Sequence, residues 1–86
     1  MPVISEFFGI RIRMYYQEHE PAHFHVEYGD THCTYGLDGA PLVGTLASGR
    51  AERLVQRWAQ LHRFELEANW QRILAGRPIR PIAPLE

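Results

Sequence analysis

The feature that most constrains this chain is a change of hydrophobic period near its middle. Apolar residues recur at every second position before Leu46 and at every third or fourth position after Ser48. Period two places one face of a strand in a core; a period near 3.6 does the same for one side of a helix. From Gly9 onward, Ile10, Ile12 and Met14 alternate with Arg11, Arg13 and Tyr15. His23 to Tyr28 alternates again, with Phe24, Val26 and Tyr28 on the apolar side. Val3 to Phe8 is strand-like, and Gly9 marks a bulge or sharp bend before the next strand. Gln17 to Ala22, with Pro21, reads as a loop. Gly29-Asp30 is the signal of a type II′ hairpin, so Thr31 to Leu37 is expected to return beside His23 to Tyr28. Leu42 to Leu46 is a weaker strand candidate, interrupted by Pro41 and Gly44.

A two-residue loop at Gly29-Asp30 sets the register. Tyr28 faces Thr31, Val26 faces Cys33 and Phe24 faces Tyr35, all on the core side. Glu27 then faces His32, His25 faces Thr34 and His23 faces Gly36 on the outer side. A meander adds Arg11, Arg13 and Tyr15 to that outer face. One side of the sheet therefore gathers arginines, a tyrosine, histidines and a carboxylate.

After Ser48, a suitable N-cap, the residues Leu54, Val55, Trp58, Leu61, Leu66, Trp70 and Ile73 form a helical stripe as far as Leu74. Gly76 followed by Pro78 stops it. An unbroken helix over Arg50 to Leu74 would be about 38 Å long. A compact chain of this length is only about 30 Å across, so a bend is expected near His62 to Phe64. His62 and Asn69 fall on the stripe and are expected as satisfied core residues, Asn69 through backbone bonds. Cys33 is expected as a buried small side chain. The prolines of the tail call for an extended segment, with Ile79, Ile82 and Leu85 packing onto the domain or a partner.

With 86 residues there is material for one core. Residues 1–86 are expected to be a single domain, with 1–46 a sheet, 48–75 helical and 77–86 an extended proline-rich tail. The fold class is α+β: a small antiparallel sheet of three to four strands packed against one long or two shorter C-terminal helices. No run of apolar residues is long enough to span a membrane, and the start lacks the basic and apolar segments of a signal peptide. A single cysteine fits a reducing, cytoplasmic setting. Net charge is −1, so a nucleic-acid site has to be a local patch. All nine basic residues are arginine, which excludes lysine nucleophiles, Schiff bases and the P-loop.

The outer face admits three readings beside ordinary exposed strand histidines. In an acid–base reading, His23 and His25 transfer protons, Glu27 or Tyr15 assists, and Arg11 and Arg13 hold a phosphodiester such as RNA without any metal cofactor. In a metal reading, His23 and His25 bind zinc or another divalent ion with a third imidazole from His19 or His32. In a partner reading the face is a docking surface. Along the helix, Arg50, Arg53 and Arg57 lie one above another, either as a solvated face or as a basic ridge for phosphate or an acidic partner.

Several segments taken together resemble a known family. They are Pro2-Val3-Ile4-Ser5, Phe8-Gly9-Ile10, Ile12-Arg13-Met14-Tyr15, His19-x-Pro21-x-His23-Phe24-His25, Leu54-Val55, Trp58, Leu61-His62-Arg63, Leu66, Asn69-Trp70, Gly76-Arg77-Pro78-Ile79 and Ile82-x-Pro84-Leu85-Glu86. The resemblance is to domain of unknown function 4160 and runs over essentially the whole chain, with 30–48 departing most. It implies a small prokaryotic protein encoded beside a second small protein, of domain of unknown function 2442, the two forming a toxin–antitoxin-like pair. It brings no catalytic residue. The leading expectation is a partner-binding module of such a pair, working through Arg11, Arg13, Tyr15, His23, His25 and Glu27. A homodimer is a further expected assembly, and the RNA-cleaving and metal-binding readings are the alternatives.

Overall fold

The computed structural model describes residues 3–86; Met1 and Pro2, the latter part of the family-like opening, lie outside the described residues. Five antiparallel strands form one meander: β1 (Val3–Phe7), β2 (Ile10–Arg13), β3 (His23–Tyr28), β4 (Thr31–Gly36) and β5 (Pro41–Val43), in the order β1-β2-β3-β4-β5. Helices α1 (Gly49–Leu61) and α2 (Arg63–Leu74) follow. The class is α+β as expected, with one strand more than the upper expectation. The extra strand is β5, whose three residues are all exposed. Its weak signal has a local cause: Gly44 has φ +80, and a Cβ there would come within 3.1 Å of the Cys33 Cβ. The glycine that lowers strand propensity is what lets the chain pass close to β4.

The register derived from Gly29-Asp30 is the observed one, pairing Tyr28 with Thr31, Val26 with Cys33 and Phe24 with Tyr35. Gly29 has φ +59, as the first central position of a type II′ turn requires. Phe8-Gly9 is the equivalent tight turn between β1 and β2, where Phe7 pairs with Ile10. Both turn residues have positive φ, +50 and +79, which is the type I′ pattern. The sharp bend expected at Gly9 is therefore this hairpin.

The core face of the sheet consists of Ile10, Ile12, Met14, Phe24, Val26, Cys33 and Tyr35, all buried. Trp58 of α1 is fully buried on it, 5.7 Å from the ring of Phe7 and 5.7 Å edge-on from that of Phe24. Ser48 caps α1, its hydroxyl accepting from the Ala51 amide. The helix breaks at His62 (φ −116, ψ +28), within the interval where a straight helix would have overrun the domain, whose longest extent is 34 Å. The break redirects the apolar stripe. Leu61, expected in the core, is 63% exposed, whereas Leu66, Trp70 and Ile73 of α2 are buried. Half-buried His62 packs its ring 5.7 Å from Trp58 and donates from Nδ1 to Glu65 at 2.6 Å. Gly76, with φ +69, ends α2: the Arg77 amide donates to the Arg72 carbonyl and the Gly76 amide to that of Ile73, the Schellman arrangement.

The tail does not project. It returns along the domain as a strap, tied at four places. The Ile79 amide donates to the Tyr16 hydroxyl, and the Arg80 backbone is held by Asn69. The Ile82 amide donates to the Ile4 carbonyl at 2.7 Å, and the Trp58 indole N–H donates to the Ala83 carbonyl at 2.9 Å. Ile82 and Leu85 are buried and Ile79 partly so. Asn69 is fully buried: its Nδ2 donates to Arg80 O, and its Oδ1 accepts from Arg80 N and Arg72 Nη1. Leaving such groups without partners costs roughly 1–3 kcal/mol each. Asn69→Ala is therefore expected to lower the unfolding free energy by about 2–3 kcal/mol and to open 77–86 to proteases before global unfolding. Denaturant melts and limited proteolysis measure both effects, and an unchanged midpoint would contradict the strap.

Candidate functional site

The outer sheet face brings together most of the residues its register places there, but in two separate groups. On β2 and β3, Arg11 lies opposite Glu27 and Arg13 opposite His25. The guanidinium groups turn to carboxylates. Arg13 Nε is 3.2 Å from Glu27 Oε2, Arg11 Nη1 is 3.8 Å from Glu27 Oε1, and Arg11 Nη2 is 3.5 Å from Glu6 Oε2. Glu27 thus serves as the counter-ion of two arginines and stands apart from the imidazoles it was expected to assist. The charges expected to hold a phosphate are matched within the protein.

The second group forms at the entrance to β3. His23 and His25, two positions apart on one strand, point to the same face, and the loop after β2 folds Glu18 over them. His25 Nε2 donates to Glu18 Oε1 at 2.6 Å, and His23 Nε2 lies 3.4 Å from Glu18 Oε2. His23 Nδ1 bonds the Pro21 carbonyl at 2.8 Å. A carbonyl oxygen only accepts, so Nδ1 carries the proton there. All three side chains are half-buried. Trp70 of α2 approaches the His23 ring at 5.5 Å and donates its indole N–H to Glu20 at 3.3 Å. Tyr15 sets its ring edge-on to His25 at 4.5 Å, and His32 stacks on His25 at 5.4 Å.

Burial pushes the His25 pKa below the ordinary imidazole value. The hydrogen bond and charge of Glu18 oppose that shift, and His23 and His32 reinforce it. The second ring nitrogen of His25 is buried without a hydrogen-bond partner, which further disfavours a doubly protonated ring.

One carboxylate and two imidazole nitrogens within 4.8 Å of one another could hold a metal ion. The third member is Glu18, where His19 or His32 was expected. Both histidines are exposed and stand outside this group. Nothing in a loop of irregular backbone told Glu18 from its neighbour His19. The side chains of Arg50, Arg53 and Arg57 are exposed along α1, away from the histidines. Arginines also meet where spacing did not point. Arg72, Arg77 and Arg80 line a cleft of about 370 Å³ beside Pro78 and Ile79, and the only trace in the sequence is their bunching around the helix stop. A larger groove, about 660 Å³, runs between α2 and the β3–β4 end of the sheet, lined by Pro21, Leu37, Leu42, Arg63, Glu67 and Trp70 among others. Cys33 lies on the core face, where burial pushes its thiol pKa up, so it takes no part in either group.

Residues 9–71 match the family described as domain of unknown function (DUF4160). The chain belongs to that family. In this DUF4160 chain the matched span carries Arg11, Arg13, Glu18, His23, His25 and Glu27, whereas β1 and the strap fall outside it. Comparison with curated proteins and with solved structures finds no match.

If Glu27 neutralises the DUF4160 chain's outer arginines, Glu27→Gln should release them toward external anions. The variant is expected to elute from heparin at higher salt than wild type while losing about 1–3 kcal/mol of stability, the worth of a charged hydrogen bond at a half-buried site, because Arg13 is only 17% exposed. Unchanged elution would show that Arg11 and Arg13 are not restrained by Glu27.

Proposed function

We propose that this is a cytosolic bacterial partner-binding module, working with a small protein encoded by an adjacent gene in a toxin–antitoxin-like pair. The observation that carries the reading is the unequal treatment of the two ends of the sheet. The β1 edge is engaged by the strap through the Ile82–Ile4 bond. The β5 edge faces outward with Leu42 and with Val43, which is 69% exposed. An open edge flanked by apolar side chains is what β-strand addition uses, and proteins that do not use such an edge commonly protect it.

Two further features support the same reading. Leu42 and Arg63 both line the large groove. Arg63 is preceded in the chain by the helix break and Leu61 and followed by Phe64, which is 86% exposed. Exposed aromatic side chains of this kind are enriched at protein interfaces. Arg50, Arg53 and Arg57 on α1 carry no ion pair among the described residues. The partner of best fit offers a strand with apolar side chains and nearby carboxylates.

The RNA-cleaving alternative draws support from the histidine pair, but Arg13, the register neighbour of His25, already contacts Glu27, and no ion-pair-free arginine lies opposite the pair among the described residues. A homodimer through β5 is the competing assembly.

Co-expression with the adjacent gene product, followed by size exclusion with light scattering, tests the proposal. A one-to-one complex is expected, and Val43→Glu and Phe64→Glu should each weaken it at least about tenfold, or 1.4 kcal/mol, without shifting the melting temperature of the isolated chain. Absence of a complex overturns the proposal, as does wild-type affinity in the double variant. A dimer of the chain alone that the same substitutions dissolve would assign the surface to a second copy.

A further inference from the structure

We propose that Glu18, His23 and His25 form a site for one divalent transition-metal ion of the zinc class, with a coordination position left for water. The inference is independent of the partner surface at β5 and the helix break.

His23 sets the geometry of the group. Its Nδ1–H is committed to the Pro21 carbonyl at 2.8 Å, so any ring without a second proton turns the lone pair of Nε2 toward Glu18. That nitrogen faces Glu18 Oε2 at 3.4 Å. Two electron pairs brought face to face repel unless a cation lies between them. A proton or a metal ion can fill that role, and the spacing suits a metal. Two ligands bound at about 2.1 Å around a tetrahedral ion lie about 3.4 Å apart. Glu18, His23 and His25 all present ligand atoms within 4.8 Å of one another.

The surroundings resemble those of metal-binding imidazoles. Such rings donate their second N–H to a backbone carbonyl or carboxylate, which fixes tautomer and orientation; the His23–Pro21 bond does this. His25 lies two residues along the same strand and turns its Nε2 to the same carboxylate. Its present bond to Glu18 at 2.6 Å gives way on coordination through Nε2. The proton then moves to Nδ1, which is buried without a partner, and the metal bond has to offset that cost. Two imidazoles and one carboxylate favour zinc, cobalt, nickel or iron over magnesium and calcium, which prefer oxygen ligands throughout. Three protein ligands, rather than four, match sites that keep water on the ion. The site also joins an irregular loop to the first residues of β3, so an ion there would clamp that loop to the sheet.

Trp70 supplies a reporter because its ring lies 5.5 Å from His23. Protein without an affinity tag is titrated with zinc against a chelating dye, and separately with cobalt(II) while tryptophan emission is followed. Wild type should bind one ion per chain in the micromolar range or tighter, with cobalt quenching part of the emission. Trp70→Phe should remove most of the quenching and retain the binding. Glu18→Gln and His23→Ala should each weaken zinc by at least about 100-fold, more than the loss of an outer-shell partner causes, with circular dichroism confirming that they fold. His19→Ala should bind as wild type. Failure of wild type to bind either ion at micromolar concentrations overturns the site and leaves a proton between His23 and Glu18. Loss of binding in His19→Ala equal to that in Glu18→Gln overturns the ligand set.

Discussion

The structure depends on the burial of one indole. Trp58 places its ring between α1 and the core face of the sheet, against Phe7 and Phe24. Its single polar atom needs an acceptor in that setting, and the strap supplies one at the Ala83 carbonyl. Sheet, helix and tail therefore meet at one side chain. The helix break follows from the same contact. His62 packs on Trp58 and its amide completes the last bond of α1 to the Trp58 carbonyl, while its own carbonyl accepts from Leu66 in α2. A core of this size leaves little reserve, so an aromatic that secures three elements at once carries much of the stability.

What could be read from the chain in advance was whatever has a period or a fixed geometry. The β3–β4 register followed from two turn residues, because side chains alternate strictly and the loop length allows only one alignment. The helix break followed from length against the size of the domain, and the role of Asn69 from a polar residue on an apolar stripe. The rest turned on contacts distant in sequence. Whether Glu18 or His19 would close over the strand histidines was set by an irregular loop, where no periodicity assigns a direction. The pairing of Arg11 and Arg13 with Glu27 depended on side-chain rotamers beyond the register that made it possible. Leu61 was misplaced because a stripe continues only while the helix does. The destination of the tail, whose prolines announce extension but not direction, required the acceptor demand of a tryptophan 25 residues earlier.

The chemistry of the outer face is divided accordingly. Its arginines and Glu27 neutralise one another, which leaves that part of the sheet polar but without surplus charge for a polyanion. The histidines form a tighter group whose orientation is set by backbone and by a carboxylate from a neighbouring loop. The three most exposed large apolar side chains, Val43, Leu61 and Phe64, lie elsewhere, at β5 and at the helix break. A face with balanced charge beside an uncovered edge is a division of labour that a protein of 86 residues can accommodate because sheet and helices each have a side not needed for the core.

The strap also sets how many neighbours a molecule can have. With the β1 edge engaged and β5 open, each chain presents one strand terminus and can form at most a closed pair by edge addition. Release of residues 77–86 would expose a second terminus at the opposite end of the same sheet. A unit with two such ends no longer stops at a pair; it can grow in one dimension. The few hydrogen bonds that return the tail to Tyr16, Asn69, Ile4 and Trp58 thus separate a molecule with a valence of one from a monomer for an open-ended fibre.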